Sequence, residues 1–65
     1  MVSYAPLWET MKKKGISTYA LINKYNFDAH TLSSLKQNKS VTINTIETLC
    51  SILGCTPNEV FEFIK

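Results

Sequence analysis

Residues 17–37 contain two short helical patterns separated by a three-residue break, and this arrangement constrains the fold more than any other feature of the sequence. Ser17 can cap the first helix through its hydroxyl. The break, residues 26–28, begins with asparagine, which tolerates the left-handed backbone that ends a helix. Asp28 can cap the second helix, whose two leucines are its main apolar anchors. The segment therefore predicts two short helices joined by a tight turn, the second with small and polar side chains on its outer face.

Cap signals divide the rest of the chain into three further helices. Pro6 suits a first helical turn and Gly15 suits a helix end, while Thr42 and Gly54 bound a segment with a broad apolar face. Residues 56–59, Thr-Pro-Asn-Glu, have the pattern of a capping box that opens a last helix. We expect an all-α bundle of five helices, at about residues 6–14, 18–25, 29–37, 43–53 and 57–64.

Length and composition indicate one small domain over residues 1–65. A chain of this length buries about 60% of its unfolded surface, so the core is small. Hydrophobic residues make up 45% and charged residues 18%, which favours a compact fold over disorder. The sequence has neither an apolar run long enough for a membrane nor a signal-peptide pattern, so we expect a soluble, cytoplasmic protein. Residues 1–5, before the first helix, fit either a β-strand or a coil.

Charge is divided unevenly along the chain. Residues 1–39 carry six lysines and two carboxylates, a net charge of +4, whereas residues 40–65 carry one lysine and three glutamates, a net charge of −2. The basic part contains the two-helix segment. This distribution suits an anionic partner on one side of the fold.

Few residues are available for catalysis or metal binding. Cys50 and Cys55 flank a predicted helix end, where we do not expect disulfide geometry, and zinc would need ligands beyond His30. Free thiols in a reducing compartment are the simpler interpretation. One histidine and five scattered carboxylates form no catalytic constellation. We therefore expect no enzymatic activity, metal, cofactor or small-molecule ligand.

The spacing of helix boundaries and core residues follows a recognisable pattern. The residues that carry it are Ser17-(x3)-Leu21, Asn26-Phe27-Asp28-(x2)-Thr31-Leu32-(x2)-Leu35, Lys36 to Lys39, and Thr42-(x3)-Ile46-(x2)-Leu49-(x3)-Leu53-Gly-Cys-Thr-Pro-Asn-Glu-Val60. Over about residues 6–64 they resemble the Cro/C1-type (XRE) helix-turn-helix family. The resemblance implies a lambda-repressor-like fold and a small transcriptional regulator, of a kind found in bacteria and mobile elements. It also implies sequence-specific binding to double-stranded DNA, with residues 29–37 as the recognition helix in the major groove.

The resemblance further implies which residues contact DNA. Base contacts would come from the outer face and N-terminal end of the recognition helix, at Ala29, His30, Thr31, Ser33, Ser34 and Gln37. Phosphate contacts would come from the start of the second helix and from the end of the recognition helix, at Ser17, Thr18, Tyr19, Lys36, Asn38 and Lys39. Free backbone amides at a helix N-terminus are suited to phosphate oxygens.

Several positions depart from the family's usual pattern. Thr18 stands where the family often has a glutamine that braces a phosphate, and Ile22 where it often has alanine. Asn26 and Asn38 replace glycines, and asparagine is the next-best residue for positive φ. The chain has no arginine, so it cannot form the bidentate arginine–guanine contact. His30 is then either a reader of guanine or a solvated surface side chain.

Two functions are compatible with these residues. The first is a DNA-binding transcriptional regulator. The second is a helix-turn-helix fold used as a protein-binding module, such as an anti-repressor or a partner of a larger regulator. The absence of arginine keeps this second function open. A monomer of this size reads only half an operator, so tight binding favours two copies. We expect that the last helix, with Phe63 facing outward, can join two copies as a homodimer.

Overall fold

The computed structural model describes residues 1–64, which fold mainly into α-helix with a small antiparallel sheet. In chain order the elements are β1 Val2–Ser3, α1 Ala5–Lys14, α2 Thr18–Asn23, α3 Ala29–Lys36, α4 Ile43–Leu53, a 3-10 turn Pro57–Glu59, and β2 Glu62–Phe63. The mainly helical class agrees with the sequence-based prediction. The count of five helices does not, because the described residues form four α-helices.

Helix boundaries follow from local capping. Ser17, Asp28 and Thr42 each accept a hydrogen bond from the backbone amide three residues later, at 3.1, 3.0 and 3.3 Å. These bonds satisfy amides that have no partner inside the helix. Gly15 and Gly54 end α1 and α4 with φ of 69° and 64°, a left-handed conformation that costs glycine little. The three caps and both glycine ends are those that the sequence indicates.

Two asparagines take the positive φ that the sequence predicts. Asn26 lies in the turn before α3 with φ of 59°, and Asn38 follows α3 with φ of 56°. Asparagine tolerates this conformation better than residues other than glycine. The prediction of positive φ at both residues is confirmed, although α2 ends at Asn23, three residues before Asn26.

The hydrophobic core lies between the helices and is closed by one residue from each end of the chain, Tyr4 and Val60. Its buried apolar members are Tyr4, Leu7, Met11, Leu21, Phe27, Leu32, Leu35, Ile46, Leu49, Leu53 and Val60. Helix α1 packs against α4 and the 3-10 turn. Thr10 is also buried, and its Oγ1 donates to the Glu59 carbonyl oxygen at 2.7 Å. That bond fixes the 3-10 turn on α1.

The fifth helix predicted over residues 57–64 is wrong. The backbone completes one 3-10 turn, over Pro57–Glu59, and then extends as β2 antiparallel to β1. Met1 and Ile64 exchange two backbone hydrogen bonds, with Met1 donating at 3.1 Å and Ile64 donating at 2.7 Å. Residues 1–5, which fit strand or coil, therefore supply a strand.

Physical reasons explain why the sequence suggested a helix here. A window of five apolar-rich residues does not distinguish a helical period from a strand, and valine, phenylalanine and isoleucine favour strands. The partner of β2 is β1, near the other end of the chain, where no local pattern reveals it. The capping box also differs from expectation, because the Thr56 hydroxyl bonds the side chains of Asn58 and Glu59 and no backbone amide.

Candidate nucleic-acid interface

A turn over residues 24–28 joins α2 to α3 and is fixed by its own apolar residue. Phe27 is buried, and its amide donates to the Leu21 carbonyl at 2.8 Å. Leu32 and Leu35 hold the inner side of α3 in the core. The orientation of α3 relative to α2 is thus set by buried side chains on both elements. The opposite side of α3 faces solvent.

Four of the six predicted base-contacting residues form the exposed face of α3 and its end. Ala29, His30, Ser33 and Gln37 are all exposed and recur at spacings of three and four residues, so they share one side of the helix. The Gln37 side-chain amide donates to Ser33 Oγ at 3.2 Å. The face therefore combines a small apolar residue, an imidazole and a linked hydroxyl–carboxamide pair.

The other two predicted base-contacting residues are half-buried. Thr31 donates to Asp28 Oδ2 twice, from its amide at 3.0 Å and from its hydroxyl at 2.8 Å. Its hydroxyl hydrogen is thus committed to the cap of α3. Ser34 lies at the edge of the exposed face. The structure brings both residues beside the face and places neither at its centre.

The start of α3 carries a negative charge. The hydrogen bonds from the Thr31 hydroxyl and then the Thr31 amide hold the pKa of Asp28 below its usual value, with a smaller contribution from His30. An ionised carboxylate at a helix N-terminus is favoured by the helix dipole. It also disfavours a phosphate at the same place, so the tip of α3 suits base edges better than DNA backbone.

The predicted phosphate-contacting residues of α2 lie at its first turn. Ser17 and Tyr19 are exposed and Thr18 is half-buried. Because Ser17 Oγ caps the Ala20 amide, the Thr18 and Tyr19 amides remain without partners among residues 1–64. Two free amides and a hydroxyl at one helix end are typical of a phosphate-binding position.

The remaining predicted phosphate-contacting residues lie at the end of α3. Lys36 and Lys39 are exposed. Asn38 is exposed as well, but its Oδ1 accepts a hydrogen bond from the Tyr4 amide at 3.1 Å. The Asn38 oxygen is therefore occupied, and its amide nitrogen is the group left for an external acceptor.

Comparison with known protein families gives a match over most of the chain. A family model described as the Cro/C1-type HTH DNA-binding domain matches residues 6–65. The chain belongs to the Cro/C1-type helix-turn-helix family. This match confirms the family that its residues indicate. The family consists of DNA-binding domains and is not a class of enzymes.

A solved structure resembles this Cro/C1-type domain closely. The transcriptional regulator VanUg is similar with a TM-score of 0.84 and 23% sequence identity, over 94% of this chain and 81% of the VanUg chain. At that identity the similarity shows the fold alone. No curated protein sequence matches the chain.

Tyr4 is the residue of the Cro/C1-type domain that reasoning from the sequence missed. The sequence places it only in a segment that fits strand or coil, yet its hydroxyl donates to the Lys39 carbonyl at 2.7 Å. Burial raises the pKa of this phenol, so it stays a neutral donor well above neutral pH. A buried tyrosine generally requires a hydrogen-bond partner, which is the one available sequence signal, but its partner is distant in the chain.

The two cysteines of this Cro/C1-type domain are half-buried and free. The Cys55 amide donates to the Cys50 carbonyl at 3.1 Å, as part of the helix end at Gly54. Burial, and then the neighbouring Cys50, raise the pKa of the Cys55 thiol. A protonated thiol is a poor metal ligand and nucleophile. Among residues 1–64 no three histidine, cysteine or acidic side chains lie close enough to share a metal ion.

The helices of this domain are short compared with the thickness of a membrane. The longest described helix, α4, has 11 residues, and none of the helices in residues 1–64 is long and apolar enough to cross a membrane.

Proposed function

We propose that this chain is a transcriptional regulator that binds double-stranded DNA sequence-specifically, with α3 in the major groove. The observation that carries the proposal is the exposed face of Ala29, His30, Ser33 and Gln37 on a helix whose inner side is fixed in the core. Small and polar side chains on one face allow a helix to approach base edges closely. A regulator of this kind acts in the cytoplasm, together with its DNA.

Base recognition in this proposal relies on short side chains. Ala29 contacts a thymine methyl group, His30 donates to a guanine, and Gln37 pairs with an adenine edge beside Ser33. Thr31 and Ser34 contribute from the edge of the face. Because no arginine is present, each base contact is weaker than an arginine–guanine pair. Part of the specificity then comes from DNA shape, which backbone contacts sense.

Phosphate contacts hold α3 in register from two sides. On one side are Ser17 and the free amides of Thr18 and Tyr19, and on the other are Lys36, Asn38 and Lys39. The basic part of the chain, with its net charge of +4 over residues 1–39, contains all six. Neutralising several phosphates gives log affinity a slope against log salt of about −3 to −5 per monomer.

Two copies of the chain bind one operator in this proposal. A recognition helix of eight residues covers half a site, and two copies on a pseudo-palindrome double the contacts. Because residues 57–64 form a 3-10 turn and a strand, the exposed side chains of β2, and not a fifth helix, join the two copies in this proposal. Phe63 is 78% exposed and borders an apolar groove of about 200 Å³ with Phe61. An exposed aromatic beside such a groove suits a second copy.

A protein-binding module is the second candidate function. The groove beside Phe63 also fits an apolar peptide or a larger regulator, and Ile43 on its rim is 79% exposed. In this alternative the fold is retained but α3 does not enter DNA. The two candidates differ in what an isolated preparation of the chain binds.

Selection from a random library of double-stranded DNA tests the proposal. The purified chain is mixed with the library at about 50 mM salt, and bound DNA is amplified and sequenced over several rounds. We expect an enriched motif with two related half-sites. The Ser33→Ala variant should shift the motif, while Ser51→Ala, a matched change at an exposed serine of α4, should leave it unchanged. Failure to enrich any motif, with a protein partner recovered instead, favours the second candidate.

A further inference from the structure

Tyr4 contacts the segment that follows α3 through two separate groups. Its amide donates to Asn38 Oδ1 at 3.1 Å, and its hydroxyl donates to the Lys39 carbonyl at 2.7 Å. The side chain is 2% exposed, and it reaches this segment from the core. The two bonds therefore connect the start of the chain to positions 34 and 35 residues away.

Asn38 and Lys39 are also hydrogen-bonded to α3 itself. The Asn38 amide donates to the Leu35 carbonyl at 3.2 Å, and the Lys39 amide donates to the Ser34 carbonyl at 3.0 Å. Asn38 needs its left-handed φ of 56° for this path. Residues 38–39 thus lie between α3 and Tyr4, and bonds on both sides set their direction.

Tyr4 is itself held in place by the terminal sheet. It directly follows β1, whose Val2 and Ser3 pair with Phe63 and Glu62 of β2. The sheet, Tyr4 and the end of α3 form a continuous series of hydrogen-bonded contacts. The backbone position of Lys39 therefore depends on a residue outside the helix-turn-helix.

We propose that Tyr4 is a positioning residue for DNA binding, which holds Lys39 where its ammonium group can contact the phosphate beside the half-site read by α3. The inference rests on the proposed function, since it requires DNA at α3. Without the phenol hydroxyl, the Lys39 carbonyl loses its core-side bond, and residue 39 is held only by the bond from its amide to the Ser34 carbonyl. The lysine then spends less time against the backbone.

A matched pair of variants separates positioning from stability. Tyr4→Phe removes one buried hydroxyl that donates to a carbonyl at 2.7 Å, and Thr10→Val removes another at the same distance, on the Glu59 carbonyl. Thr10 is 6% exposed and bonds the 3-10 turn, which contains none of the predicted DNA-contacting residues. The two changes should lower the melting temperature alike, while only Tyr4 touches the segment that includes Lys39.

The experiment measures the affinity of each variant for a DNA site selected by the unmodified chain, by fluorescence anisotropy over a salt series. For Tyr4→Phe we expect affinity to fall about fivefold, the effect of one net hydrogen bond, and the salt slope to become shallower by up to about 1 per monomer. Thr10→Val should leave both the DNA affinity and the salt slope unchanged. The inference is overturned if Tyr4→Phe binds like the unmodified chain or if Thr10→Val loses as much affinity.

A second variant covers the case in which Tyr4→Phe does not fold. Asn38→Gly keeps the left-handed backbone and removes the whole carboxamide, which includes both the oxygen that the Tyr4 amide bonds and the nitrogen proposed to contact a phosphate. It should also lower affinity, and unchanged affinity would count against the inference. If the unmodified chain itself binds no DNA, the proposed function fails, whereas normal binding by the chain and by these variants overturns only the role of Tyr4.

Discussion

The carboxylate of Asp28 accepts two hydrogen bonds from Thr31, one from the amide at 3.0 Å and one from the hydroxyl at 2.8 Å. This pair begins the helix that carries the candidate recognition face. Because both bonds favour the ionised carboxylate, the pKa of Asp28 is lower in the folded chain than in the unfolded one. The start of α3 is therefore sensitive to acid.

The sign of this effect gives a prediction about pH. A carboxylate with a lowered folded pKa contributes stability above its unfolded pKa of about 3.9, and that contribution is lost as pH falls through the folded pKa. Asp28→Asn keeps an N-cap oxygen but cannot ionise. We expect the difference in melting temperature between the original chain and this variant to shrink as pH is lowered from 6 to about 2. A difference that stays constant would contradict the assignment.

The left-handed turn before α3 gives a second prediction. Asn26 has φ of 59° and is exposed, so its substitution tests backbone strain with little change in packing. Asn26→Ala should lower the free energy of unfolding by about 1–2 kcal/mol, while Asn26→Gly should leave it nearly unchanged. Urea denaturation of both variants measures the difference. Equal effects of alanine and glycine would show that the turn does not require positive φ.

Local signals account for the parts of the fold that were predictable. Ser17, Asp28 and Thr42 could be identified as caps because the residues that each one bonds lie three positions later. Asn26 and Asn38 could be identified because positive φ restricts residue choice at the position itself. Each of these features depends on interactions within one turn of the chain.

Features that depend on distant partners could not be predicted. The strand at Phe63 requires a partner near Met1, and the short segment after Val60 was compatible with a helix when considered alone. In the candidate site, exposure at His30 and Ser33 agrees with the expected outer face of α3, whereas the use of the Thr31 hydroxyl by the cap was not foreseen. Side-chain hydrogen bonds of this kind compete with external contacts.

The exposed edge of the terminal sheet gives a third prediction, about assembly. If two copies meet at β2, Phe63 becomes buried, and burying such a ring is worth roughly 1.5–3 kcal/mol per copy. Phe63→Ser should therefore weaken self-association at least about tenfold, as measured by sedimentation equilibrium without DNA. Tyr19→Ser, a change at a similarly exposed aromatic (74% against 78%) on α2, should have no effect. Equal effects of the two variants would contradict an interface at β2.

In the proposed function, the exposed face of α3 reads bases, while residues around it contact phosphates. These two kinds of contact respond differently to substitution, because base contacts carry sequence preference and phosphate contacts carry salt dependence. A variant that changes only the exposed face of α3 should alter the sequence preference and leave the salt dependence unchanged. Ser33 and Gln37 are suited to this test because their side chains bond each other and are exposed.

The most direct measurement compares the affinity of the chain for its selected DNA site with its affinity for a scrambled site, over a salt series. The same comparison is then made for the double variant Ser33→Ala and Gln37→Ala. We predict that the preference for the selected site falls by at least about fivefold, since lost base contacts cost about 1–3 kcal/mol, while the salt slope stays the same. A double variant that keeps the full preference for its site would contradict a reading role for this face of α3.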